Sequence, residues 1–67
     1  MINSKKLKAK IVERGFTIKK LSEKISLSNY TLGQKIANKS IMNIAEVKKL
    51  IDILDIKSEE IQNIFFV

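Results

Sequence analysis

Residues 17–39 read TIKKLSEKISLSNYTLGQKIANK, two short amphipathic stretches separated by a polar break. Thr17 is a residue type that accepts a hydrogen bond from a free N–H of a first helical turn. Behind it Ile18, Leu21 and Ile25 recur at i, i+3 and i+7, the stripe of a helix with one buried face. Ser28 is a second cap of the same kind, and Leu32 and Ile36 follow it at i, i+4. The spacing predicts two helices joined by a three- to four-residue turn, a helix-turn-helix unit over about 17–38. Leu21 and Ile25 must then meet Leu32 to set the crossing angle. Ser22 is small where the two helices approach, and Leu27 plugs the turn. A helix opening at Ser28 projects its first turn from the domain, the part that enters a DNA major groove in this motif.

Outward from this unit the pattern continues. Asn3 or Ser4 can cap a first helix carrying Leu7 and Ile11 on one face with Val12 beside them, and Gly15 stands where a left-handed residue ends it. Asn43 and Glu46 have the spacing of a capping box. Ile44, Val47, Leu50, Ile51 and Leu54 then recur at threes and fours. Ser58 is read as the cap of a fifth helix, with Glu59 and Glu60 at its positive end and Ile61, Ile64 and Phe65 inward. Twelve isoleucines suit strands by propensity, but their helical spacing overrides it. The fold class expected is all-α, five helices in one domain spanning 1–67.

Length and composition bound the function. Sixty-seven residues make one domain. Without Cys there is no disulfide and no thiolate metal site, and without His the commonest general base and metal ligand are missing. No enzyme, cofactor, metal site or small-molecule substrate is expected. Asp52 with Asp55, and Glu59 with Glu60, are carboxylate pairs in surface-like contexts. The most apolar run, Leu50 to Ile56, is broken by acids and too short to span a bilayer. A soluble, cytoplasmic protein with no membrane partner is expected, in a bacterial host cell and associated with its nucleoid.

The formal charge of +6 is unevenly spread. Residues 1–40 hold nine Lys and Arg14 against Glu13 and Glu23, a balance of +8, while residues 41–67 carry −2. Lys-rich composition alone predicts an even spread. The asymmetry favours a surface facing a polyanion, although charge by itself does not separate DNA from RNA or an anionic membrane.

Gly15-Phe16-Thr17, Leu21-Ser22, Ile25-Ser26-Leu27-Ser28, Thr31-Leu32 and Lys35-Ile36 with Lys39 carry a resemblance. Together with Ile44 to Ile56 and the Ile61…Ile64-Phe65-Phe66 ending, they resemble the Cro and repressor (xenobiotic-response-element type) helix-turn-helix family, in particular its small phage Cro-like members. The likeness covers nearly the whole chain. Ser26 departs from it, standing where the family usually has a turn glycine; a non-Gly residue held left-handed costs about 1 kcal/mol. Lys35 stands at a place often apolar, with Ile36 taking the packing role, and Ile18 replaces a frequent phosphate-contacting Gln.

The resemblance implies a sequence-specific DNA-binding repressor. Asn29, Tyr30 and Gln34, with Ser28 a weaker candidate, are the implied readers of base edges. Asn and Gln pair with adenine in bidentate fashion, and the third helix has no Arg to grip guanine, so an operator rich in A·T is expected. Phosphate contacts are implied for Thr17, Thr31, Lys35, Lys39 and Ser40; Lys10, Lys19, Lys20 and Lys24 are expected to add only diffuse attraction. Ile64, Phe66 and Val67 are the expected homodimer interface on a pseudo-palindromic operator in double-stranded DNA. The other reading is a protein-interaction module of the same fold, an antitoxin or an inhibitor of another regulator.

Overall fold

Four of the five helices close in the same way, and those closures set the path of the chain. In the computed structural model, which describes residues 1–66, α1 spans Ser4–Glu13, α2 Ile18–Lys24, α3 Asn29–Ile36, α4 Ile44–Ile53 and α5 Ser58–Phe65. The residue after each C-cap of α1 to α4 is left-handed: Gly15 (φ 80°), Ser26 (φ 60°), Asn38 (φ 64°) and Asp55 (φ 49°). The next N–H reaches back five residues in each case, from Phe16 to Ile11, Leu27 to Ser22, Lys39 to Gln34 and Ile56 to Ile51. These are Schellman closures, which satisfy carbonyls that a helix end leaves free. Only one of the four uses glycine.

Ser26 thus adopts the strained geometry expected of it. Ser26→Gly is expected to raise stability by about 0.5–1 kcal/mol, because relief of the left-handed strain exceeds the added entropy of the unfolded chain. Urea denaturation of the two proteins checks this; an unchanged midpoint would mean that the serine carries no strain.

The helix starts follow the polar caps. Thr17 accepts from the Lys20 N–H at 3.1 Å, Ser28 from Thr31 at 3.0 Å, and Asn43 from Glu46 at 2.8 Å with the Glu46 carboxylate returning to the Asn43 N–H at 3.0 Å. The α1 cap is Asn3, which accepts from Lys6, while the Ser4 hydroxyl donates to the Ile36 carbonyl. The α5 start differs from the expectation: Lys57 is the cap position and Ser58 the first helical residue. Glu60, three residues past Lys57, accepts from its N–H at 3.4 Å. A box based on Ser58 would need Ile61 at that place, and Ile61 has nothing to return.

The core joins all five helices through Leu7, Ile11, Leu21, Ile25, Leu32, Ile36, Val47, Leu50, Leu54, Ile56, Ile64 and Phe65. α2 packs chiefly on α3, and α1 on α5. Ser22 of α2 is buried and donates to the Lys19 carbonyl, and Leu27 packs against the core from the turn. Two stripe residues differ from expectation. Val12 and Ile44 are exposed, since each lies at the edge of its helix's apolar arc, while Val47 and Leu50 are buried.

The N-terminal segment is clamped rather than trailing. Asn38 donates to the Ile2 carbonyl at 2.8 Å and accepts from the Ile2 N–H at 2.9 Å. One residue on, the Asn3 N–H reaches the Ile64 carbonyl at 2.7 Å. Arg14 similarly ties α1 to the end of α4, donating to the Leu54 and Asp55 carbonyls.

Candidate nucleic-acid interface

The inward residues of α3 determine which side chains it presents outward. Leu32 and Ile36 are buried against α2 and the rest of the core. On a helix of 3.6 residues per turn, that leaves Tyr30 and Gln34 on the opposite side and Gly33 on the flank, while Asn29, three residues before Leu32, follows the inward stripe but stands in the first turn. Asn29 and Tyr30 are exposed, and Gln34 is half-buried. Among the described residues none of the three has a side-chain hydrogen bond, so the amides of Asn29 and Gln34 keep both donor and acceptor capacity.

Ser28 is differently placed. Its hydroxyl accepts from the Thr31 N–H and donates to Thr31 Oγ1 at 2.7 Å, so its one proton is already engaged. Thr31 retains its own O–H, and so does Thr17, whose oxygen accepts from Lys20. Both threonines therefore offer an outward hydroxyl donor beside a helix start. Lys39 and Ser40 are exposed just past α3, their N–H groups returned to the Gln34 carbonyl.

The charge of the first forty residues divides into two sets. Lys5, Lys6, Lys8, Lys19, Lys20, Lys24 and Lys39 are exposed, with no carboxylate within ion-pair distance among the described residues. Three other cations are taken up inside the protein. Arg14 is held by the carbonyls described above. Lys10 is buried, with its ammonium 2.9 Å from Glu60 and 3.3 Å from Glu13. The hydrogen bond to Glu60, against the opposing effect of burial, raises the Lys10 pKa above its ordinary value, and the same bond lowers that of Glu60. Lys10, expected to give diffuse attraction at the surface, instead fastens α1 to α5.

Lys35 is the third. Its ammonium lies 2.6 and 2.7 Å from the two carboxylate oxygens of Glu46, and the Lys35 hydrogen bond is the main reason the Glu46 pKa falls below the usual glutamate value. A phosphate contact from Lys35 was expected; in this arrangement its charge is already matched by α4. The apolar place in the resembling pattern is filled by Ile36, as the sequence indicates.

The expected dimer residues separate as well. Ile64 is 3% exposed and belongs to the chain's own core, so it is not free for a second copy. The packing of α5 on α1 decides this, because Ile64 and Phe65 both belong to the buried core that includes Leu7. Phe66 is 58% exposed, and with Met1, Ile41, Met42 and Ile44 it lines an apolar groove beside the α3–α4 connection. Val67 lies outside the described residues.

Gly33 was missed by sequence reasoning. It lies within α3 between Asn29 and Gln34, its φ is not positive, and a Cβ built there meets nothing within 4 Å. Nothing inside the protein requires a glycine, which in a helix interior is unfavourable by about 1 kcal/mol relative to Ala. Its signal was available in the sequence, as a lone glycine inside a helical stripe.

Residues 2–67 match a family described as "Protein of unknown function (DUF739)". No curated protein matches the chain.

Proposed function

The chain belongs to the DUF739 family, and we propose that it is a sequence-specific DNA-binding transcriptional regulator, a Cro-like repressor of a phage or prophage. In this reading α2 and α3 form a helix-turn-helix unit, and α3 enters the major groove with its N-terminal turns foremost. One observation carries the proposal. α3 is seated by Leu32 and Ile36, while Tyr30 and Gln34 on its other side and Asn29 in its exposed first turn have no side-chain hydrogen bond among the described residues. Asn29 and Gln34 are then the adenine-reading pair. Thr17, Thr31, Lys39 and Ser40 supply phosphate contacts, and Ser28 acts as the cap that aims the helix. Gly33 supports the same reading, because a missing side chain lets the helix axis approach the base edges more closely.

The reading includes a homodimer on a two-half-site operator. The longest axis of one copy is 28 Å, and each copy has one α3. Half-sites on one face of B-DNA are about 34 Å apart, so reading two of them takes two copies. The exposed groove at Met1, Ile41, Ile44 and Phe66 is the surface we assign to that pairing. The same groove is the observation that favours the second reading, a module that engages another protein through its apolar surface.

Fluorescence anisotropy with duplexes from the promoter region beside the protein's own gene tests the proposal. A salt-sensitive complex is expected that an unrelated duplex competes poorly. Asn29→Ala or Gln34→Ala is expected to lose about 1–3 kcal/mol of discrimination, roughly 5- to 150-fold, with little change on the unrelated duplex. Equal affinity for all duplexes would exclude sequence-specific regulation, and no binding at low salt would favour the protein-interaction module.

A further inference from the structure

We propose that Glu46 is a specificity-determining residue: by holding the Lys35 ammonium, it withholds one cation of α3 from the DNA backbone and so limits non-specific binding. The inference rests on the DNA-binding reading above. Lys35 lies in the last turn of α3, one turn beyond Thr31 on the same flank, where a phosphate contact would otherwise be natural. Its ammonium instead faces both oxygens of Glu46, and the two side chains are only 15% and 13% exposed. The carboxylate is not free to swing away. Its Oε1 also accepts from the Asn43 N–H at 3.0 Å, as part of the box that starts α4. A phosphate competing for Lys35 must therefore detach it from a pre-oriented anion and leave that anion uncompensated beside the DNA backbone. The seven exposed lysines of the first forty residues face no such competition. Attraction to any duplex is thus delegated to them, while α3 approaches the bases with its own cation neutralised.

The salt dependence of binding reads this directly, since each phosphate neutralised steepens the plot of log K against log salt by about 0.9. Glu46→Gln removes the charge and keeps a residue type that completes a capping box, so α4 retains its start. Titrations of wild type, Glu46→Gln and Lys35→Met are made on one operator duplex and one unrelated duplex, with folding checked by circular dichroism. The Glu46→Gln slope on the unrelated duplex is expected to steepen by about 0.9 per bound copy, and the ratio of specific to non-specific affinity to fall. Lys35→Met is expected to keep the wild-type slope, because Lys35 makes no phosphate contact to lose. A Glu46→Gln slope equal to wild type, or a shallower slope in Lys35→Met, overturns the role of Glu46 and leaves the DNA-binding reading intact. Absence of any duplex binding by the wild type overturns both.

Discussion

Raising salt from 50 to 200 mM is expected to weaken the operator complex of a dimer by about 10⁴-fold. That estimate takes about eight phosphates neutralised by the pair, for which the slope of log K against log salt is roughly −7. The number of exposed lysines allows a value of that size. Each copy carries seven exposed lysines in its first forty residues without a carboxylate partner among the described residues, so about four contacts per copy need little more than half of them. Lys10, Arg14 and Lys35 are left out of the count, because their charged groups are engaged inside the protein. Hydroxyl contacts from Thr17, Thr31 and Ser40 position the protein but release no counterions. Anisotropy titrations across that salt range measure the slope. A value shallower than about −2 would mean that the lysines do not meet the DNA backbone, and the polyanion-facing surface would be lost with it.

Leu32→Ala is expected to remove most of the stability of the domain. Leu32 is fully buried where α3 meets α2, and truncating a core leucine costs about 2–5 kcal/mol through lost burial and the cavity left behind. A domain of this length is held by only about 3–10 kcal/mol in total. The variant should melt far below the wild type or be largely unfolded at 25 °C, whereas Tyr30→Ala, at an exposed site on the same helix, should change stability by less than about 0.5 kcal/mol. Urea denaturation followed by circular dichroism separates the two. Similar midpoints for both variants would mean that α3 is not seated by its apolar face, and the outward orientation of Tyr30 and Gln34 would lose its basis.

The two experiments address different levels of the same arrangement. Leu32 determines whether α3 is held; the lysines determine whether what it presents is drawn to a polyanion. The Lys35–Glu46 pair lies between them, as a contact within the fold whose consequence is read only in binding. Glycine at position 33 is a third case, a residue that the fold does not require and that a close approach to DNA would explain.

The positions of the helices were legible in the amino-acid order because their signals are local. Thr17, Ser28 and Asn43 each cap a helix by reaching an N–H three residues on, and Gly15 closes one by turning left-handed. Such contacts are built by backbone geometry from neighbours in the chain, so spacing alone announces them. The inward set Leu7, Ile11, Leu21, Leu32, Ile36, Val47 and Leu50 was legible for the same reason, through recurrence at threes and fours. What only the tertiary structure decided is which distant groups meet: Lys10 with Glu60, Lys35 with Glu46, Asn38 with the Ile2 backbone, Arg14 with the end of α4. Twelve lysines look alike along the chain, and helix crossing angles, set by core side chains far apart in sequence, bring two of them onto acids from other helices. The same angles turn Ile64 inward and leave Ile44 and Phe66 outside, since residues near the edge of an apolar arc are covered or exposed according to where the neighbouring helix lies.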